Sequence, residues 1–297
     1  MESRIFNADV DWIPLSSPGY YSADPFPFIT DEGTIGILYE DFGLDEYYGK
    51  ISLMSIDEKL IRVSQKVILD TGSHLSYPFI FREEGRIFLF PEAGHSGKLT
   101  CYEYDSSEQS ASPLTDILGL PLLDPTILKY EDKYWLFGTM QGKDMNSKLY
   151  IFYSSNLLGP YYPHRCNPVK NNNDGSRPAG SFFRVGSEIF RPAQNCKTQY
   201  GESISIFRVK VLNENEYAEE FHMSINVGSN IQFSNIMAIH TINVINDIIV
   251  IDGLRWTFSP ADQYRVFFKN RADRLQVKKI EEEAGIIHFV RTGNIIT

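Results

Sequence analysis

Residues 24–40 read DPFPFITDEGTIGILYE. An Asp-Pro opening leads into an apolar run, Asp31-Glu32-Gly33 supplies a tight turn, and Ile35-Gly36-Ile37-Leu38-Tyr39 returns. Two short apolar runs around such a turn spell a β-hairpin. The plan recurs. Tyr77-Pro78-Phe79 opens a second copy that turns at Glu84-Gly85 and comes back to Glu92. Asp124-Pro125 opens a third, turning at Glu131-Asp132 and closing at Gly138. Arg177-Pro178 opens a fourth that returns through Phe190-Arg191-Pro192, and His240 opens a looser fifth that ends at Asp252. The openings lie 53, 47, 53 and 63 residues apart. Multi-strand repeats near that period point to a β-propeller, because a lone hairpin cannot bury both faces while blades stacked round an axis can.

The expected fold is therefore all-β: a five-bladed β-propeller with roughly four antiparallel strands per blade, a single domain over residues 1–297. Segments 48–54, 96–102, 147–153 and 200–207 largely alternate apolar and polar residues and read as third strands. In the last blade 264–268 takes that place, 286–290 forms one more strand, and the apolar cluster around Trp12 supplies a closing strand from the N-terminus. Residues 274–284 alone have helical composition, and their acidic run reads as an exposed turn.

The chain has 297 residues, 42% hydrophobic, enough for a sizeable core. The 20 Phe and 17 Tyr suit strands packed between blades. A net charge of −10 lacks the basic footprint of a nucleic-acid binder and disfavours anionic lipid. No apolar run approaches the roughly 18–20 residues that span a bilayer, and the N-terminus carries no apolar signal core. Cys101, Cys166 and Cys196 are odd in number and form no CxxC, so neither a disulfide framework nor a zinc site is implied, and a reducing cytoplasm is the expected setting. Walker, GxSxG, HExxH and GxGxxG motifs are absent. No metal and no cofactor are expected.

In a propeller, strand-one openings and strand-two ends converge at one mouth of the axis. The openings are Asp24, Tyr77, Asp124, Arg177 and His240; the ends are Glu40, Glu92, Arg191 and Asp252, with Arg255 close by. Gly138 closes the third blade and leaves room there. Two facing carboxylates are what glycosidic cleavage needs, one as proton donor and one as base or nucleophile. Asp24, Asp124 and Glu92 are the candidate catalytic acids; the bland alternative is that they accept turn N–H bonds. Tyr77, Arg177, Arg191, His240, Asp252 and Arg255 are the candidate substrate-binding residues. The arginines either grip an anionic group or neutralise the acidic ring. His240 is a ligand contact or a satisfied core histidine, Asp252 and Arg255 a contact pair or a structural ion pair, and His74 and His95 read as solvated loop residues.

The blocks ADPFPF (23–28), SYPFIF (76–81), FPEAG (90–94), DPTIL (124–128), YWLFG (134–138), LLGPYYPH (157–164), RPAG (177–180), RPAQNC (191–196) and the run from His240-Thr241 to DGLR (252–255) cover nearly the whole chain. With them the chain resembles the N-terminal propeller domain of plant glucosamine inositolphosphorylceramide transferases and their bacterial relatives. More distantly it is similar to the five-bladed clan of arabinanases, invertases and levansucrases. The resemblance implies a five-bladed propeller in a carbohydrate or glycoconjugate setting, without the transferase domain. The clan opens successive blades with Asp, Asp and Glu, and here the first three openings are Asp24, Tyr77 and Asp124.

Two functions are expected from this reading. One is a glycoside hydrolase-like enzyme that hydrolyses or transfers a glycosyl unit at the axial pocket. The other is a non-catalytic propeller that binds a saccharide or glycoconjugate beside a glycosyltransferase or formyltransferase partner. A pure interaction scaffold would instead show a filled axis.

Overall fold

The computed structural model describes residues 10–12, 20–57, 61–226, 236–246, 248–255 and 285–291. They form an all-β propeller of antiparallel sheets. The first sheet runs from Tyr20–Ile29 through Ile35–Gly43 and Tyr48–Ile56 to Arg62–Leu69. The second repeats the order with Ser76–Glu83, Arg86–Glu92, Leu99–Asp105 and Ser110–Leu118. The third uses Leu122–Tyr130, Lys133–Met140 and Lys148–Ser154, its outer strand reduced to Tyr162–Pro163 and Lys170–Asn171. In the fourth the inner strand is divided into Asp174–Pro178 and Phe183–Val185, followed by Glu188–Asn195, Ser203–Leu212 and Tyr217–Asn226.

The remaining sheet is a composite. Ile236–Ala238 and Ile242–Ile245 both pair with Ile248–Arg255, which pairs with Gly285–Arg291. Val10–Trp12, from the other end of the chain, is its outermost strand, with Val10 opposite Val290 and Trp12 opposite His288. Five equal blades are thus not established: four are complete, and this sheet draws on both ends of the chain. The strand expected at 264–268 and the segment 274–284 lie outside the described residues.

Inner strands are apolar on both faces because each sheet has a neighbour on either side. Ile35–Gly43 is buried almost throughout, while Arg62–Leu69 is exposed over its first six residues. Phe26, Phe79, Leu89 and Leu136 belong to one apolar cluster that joins the first three blades. Trp135, Phe137 and Ile151 meet Ile189 and Leu212 between the third and fourth. Phe190 and Ile204 meet Ile242 and Ile251 between the fourth and the composite sheet. Val250 of that sheet packs on Ile37, Tyr39 and Met54 of the first blade. Burying such side chains is worth about 1.5–3 kcal/mol each, and apolar seams of this kind join each pair of neighbouring sheets.

One irregularity recurs. In the first three blades the strand pairing shifts between Ala23 and Phe26, between Ser76 and Phe79, and between Leu123 and Thr126. Each shift is a β-bulge, and the bulged residue has a left-handed backbone: Asp24 at φ 53°, Tyr77 at 44° and Asp124 at 48°. The next residue is always proline, which has no N–H to lose from the ladder. Bulges re-aim a residue out of the strand's regular alternation. Here they aim the opening residues at the axis.

Candidate functional site

The bulged amides define the ring. Asp24 N–H donates to Asp252 Oδ2 at 3.2 Å, Tyr77 N–H to Asp24 Oδ2 at 3.2 Å, and Asp124 N–H to Glu92 Oε2 at 3.1 Å. In each case a carboxylate of the preceding sheet receives the amide. Residues 32 to 228 positions apart are thereby locked at one mouth of the axis. They surround a cavity of about 200 Å³ whose wall includes Asp24, Glu40, Glu92, Asp124, Arg177 and His240.

Two charge clusters face that cavity. In the first, His240 lies between two acids, its Nδ1 2.6 Å from Asp252 Oδ2 and its Nε2 3.5 Å from Asp24 Oδ1. Thr241 O–H also donates to Asp24 Oδ1, at 2.5 Å, while the Thr241 and His240 amides donate to Asp252 Oδ1. In the second, Arg177 places Nε 2.5 Å and Nη2 3.4 Å from the two oxygens of Asp124, with Glu92 at 3.6 Å. Gln194 Nε2 donates to Asp124 Oδ2 at 3.0 Å, and Tyr200 stands over the guanidinium at 4.8 Å and edge-on to His240 at 5.5 Å.

Burial governs the protonation of these groups. It pushes Asp24 up to about 6, against the pull of His240 and with help from Asp252 and Asp124. It pushes Asp124 up to about 7 in spite of Arg177, Glu92 adding to the rise. For His240 burial works downward, but Asp252 and Asp24 outweigh it and hold the imidazole at about 10. Asp252 is held low because His240 overcomes the effect of its own burial. His74, also in the pocket wall, is buried beside His95 and falls to about 4. Its Nδ1 accepts the Gly49 N–H at 3.0 Å, as a neutral ring must.

The structure thus brings Asp24, Glu92, Asp124, Arg177, His240 and Asp252 to one cavity and moves other candidates elsewhere. Tyr77 does not line the cavity. It is fully buried beneath it, where Gly180 N–H donates to its hydroxyl at 2.7 Å. That leaves the hydroxyl hydrogen for Thr126 Oγ1 at 2.8 Å. Arg191 points away from the axis: Nε and Nη2 grip Glu219 at 2.8 and 2.7 Å, and Nη2 also reaches Gly175 O. Gln194, three residues further along the strand and so on its other face, takes the place expected for Arg191. Arg255 closes its strand, but its side chain lies outside the described residues. Gly138 leaves no room, since a β-carbon there would stand 2.5 Å from Leu122. His74 is a pocket residue rather than a solvated one. Gln194, Tyr200 and Thr241 carried no charge or motif to draw attention, and only the final residue of RPAQ hinted at the first.

Arg177 neutralises the acidic ring. Its donors face Asp124, Glu92 and the side-chain carbonyl of Asn146, so an anionic ligand would have to compete with buried carboxylates. Asp24, His240 and Asp252 bring ligand-type atoms within 4.8 Å of one another. Both His240 nitrogens nevertheless face carboxylate oxygens, the arrangement of a protonated imidazolium. A cation would have to expel that proton, so the trio fits a hydrogen-bonded bridge better than a metal centre.

Among known proteins, residues 10–245 match the family model described as Glucosamine inositolphosphorylceramide transferase 1, N-terminal. Glucosamine inositolphosphorylceramide transferase 1 of Arabidopsis thaliana is 34% identical over 208 residues, covering 68% of this chain and 27% of that protein. The Oryza sativa subsp. japonica protein of the same name is 29% identical over 217 residues, covering 71% and 29%. The chain thus matches little more than a quarter of these relatives' length. Among solved structures, the fold is similar to the α-L-arabinofuranosidase of Podospora anserina in complex with cellotriose, at TM-score 0.65 and 9% identity over 96% of this chain and 95% of that one. It is similar also to a family 117 glycoside hydrolase of Zobellia galactanivorans, at 0.62 and 12% over 95% and 89%. A family 43 β-xylosidase/α-arabinofuranosidase from a compost metagenome, in complex with xylotriose, gives 0.60 and 14% over 95% of each. At these identities the likeness is one of fold.

Proposed function

We propose that this chain, which belongs to the family of glucosamine inositolphosphorylceramide transferase 1 N-terminal domains, is a carbohydrate-active propeller that binds a saccharide at its axial pocket without cleaving it. One observation carries the reading: an open cavity persists among Asp24, Glu92 and Asp124, each already held by the protein. A general acid or base has to exchange its proton with the substrate. Asp124 is gripped by Arg177 and Gln194, and Glu92 by the Asp124 amide and Arg177. Oxygens fixed in this way are well suited to accept hydroxyls of a neutral sugar, and about 200 Å³ suits a single ring. A glycosyl- or formyl-transferring partner would supply the chemistry. The proposal includes the composite sheet acting as a fifth blade, one domain over 1–297 and a cytoplasmic setting.

A second reading, glycosyl hydrolysis or transfer by Asp24 and Asp124, is favoured by their protonation near neutrality, where acid–base catalysts work best. A glycan array followed by product analysis separates the two. Retention of a glycan without products, lost in Asp24→Asn, is the expected result. Products that vanish in Asp24→Asn and Asp124→Asn would install the second reading instead. An empty array would remove both.

A further inference from the structure

A run of aromatic rings leads out of the axial cavity across the first blade. It starts at Tyr21 and His74, both in the cavity wall. Tyr21 stacks on Phe42 with centroids 4.6 Å apart and planes 16° from parallel. Phe42 meets His74 edge-on at 5.9 Å and Tyr47 at 6.1 Å. Tyr47 is 43% exposed, and Tyr20, which starts the first strand, is 45% exposed; both adjoin Gly43, Tyr20 by strand pairing and Tyr47 through its amide. Tyr20 lies opposite Gly43, and a β-carbon on that glycine would come within 3.4 Å of the tyrosine ring.

Tyr47 is the informative residue. It ends the turn that joins the second and third strands, where its N–H donates to Gly43 O at 2.7 Å and its φ is 68°. The turn needs a left-handed residue there, but it does not need a tyrosine; glycine or asparagine would fit at lower cost. Elsewhere among the described turns this conformation falls on glycines or on Glu84, Gln109, Glu131 and Asn246, all of these last polar. A large ring held in an unfavourable backbone region and left exposed points to a use for the ring.

We propose that Tyr20 and Tyr47 form an outer sugar subsite, so that the ligand is an oligosaccharide whose end ring sits in the axial cavity and whose next rings lie over the first blade. This rests on the saccharide-binding reading above and extends it from one ring to a chain. Continuity supports it: the cavity admits about one ring, and the aromatic run begins in its wall. Chemistry supports it too. Tyrosine presents an electron-rich face to the C–H side of a sugar and a hydroxyl to its edge. An apolar protein helix would call for leucine and isoleucine in a groove instead.

The test uses the whole chain on an array carrying mono-, di- and trisaccharides of each glycan, with titration calorimetry on the glycan retained. Tyr47→Gly suits the left-handed turn, so the Tyr20→Ser/Tyr47→Gly variant removes the rings without straining the fold. Wild-type protein is expected to prefer trisaccharides, and the variant to bind them roughly five- to tenfold more weakly while keeping wild-type affinity for the monosaccharide. Equal affinities across chain lengths, or a variant that binds trisaccharides like wild type, would overturn the outer subsite and leave the axial one standing. Loss of all binding in Asp24→Asn, with the tyrosines without effect, would overturn it in the same way. No glycan bound by wild type would defeat both readings, and a variant defective only in capturing a protein would reassign the patch to a protein partner.

Discussion

At the residue scale, His240 is the hinge of the electrostatics. It opens the composite sheet's part of the ring and sits between Asp252 and Asp24, offsetting part of their charge. Its imidazole, ordinarily near 6.5, is held at about 10 in the fold. Folding therefore favours its protonated form, and the stability this contributes is complete below pH 6.5 and lost as pH rises through 10. Asp24 and Asp124 are raised from 3.8 to about 6 and 7, so their share is complete below 3.8 and lost as pH rises through those values. Once pH has passed well beyond the value of about 7 at which Asp124 ionises, His240 is the member of this acidic ring whose charge still changes. Urea midpoints of the wild-type protein are expected to fall as pH climbs from neutrality toward 10, while those of His240→Gln start lower and stay flatter. Parallel slopes in the two proteins would contradict the imidazolium bridge. The pocket's charged members were legible in the sequence because Asp24, Asp124, Arg177 and His240 recur at hairpin openings. Gln194 was not, since an uncharged amide gives no chemical reason to expect it at the axis, although it ends the RPAQ block.

At the scale of the element, the bulged opening decides what each blade offers. A regular strand would send every second side chain between the sheets. The left-handed residue breaks that alternation and turns an amide toward the preceding sheet's acid. In the second blade the bulged residue is Tyr77, and its side chain goes down the axis instead of into the cavity. There its hydroxyl joins the second blade to Thr126 of the third and Gly180 of the fourth. Gly180 cannot gain a side chain, because its β-carbon would lie 1.9 Å from Ile242 O. Tyr77→Phe keeps the edge-on contact with Phe26 at 4.8 Å but leaves the Gly180 amide without its acceptor. A loss of about 1–3 kcal/mol is expected, read from urea unfolding. An unchanged midpoint would mean that the hydroxyl does not brace the axis.

On the scale of the whole molecule, the ring depends on both ends of the chain. Val10–Trp12 covers the outer edge of Gly285–Arg291, which itself flanks Ile248–Arg255. Removing residues 1–12 uncovers a strand edge and loosens the sheet that carries Asp252. The deletion is expected to lower the melting temperature and to promote association, because bare edges template pairing. Light scattering and thermal unfolding would check this, and a deletion that melts like the full chain and stays monodisperse would show that the terminal strand is dispensable. The hairpin repeat made the sheets legible. It could not number complete blades: the closing strand around Trp12 was foreseen, but in the composite sheet Ile236–Ala238 and Ile242–Ile245 share one partner strand, a departure from the hairpin plan that no period announces.

The sequence by itself determined the all-β architecture, the hairpin plan of each blade and the gathering of acids at one mouth, because these follow from local periodicity and turn chemistry repeated along the chain. Only the tertiary structure decided that Arg177 is tied to Asp124 while Arg191 turns away to Glu219, and that Tyr77 plugs the axis. The reason is physical. Which partner a buried charge finds depends on strand register and bulge geometry, where one residue of offset sends a side chain to the opposite face.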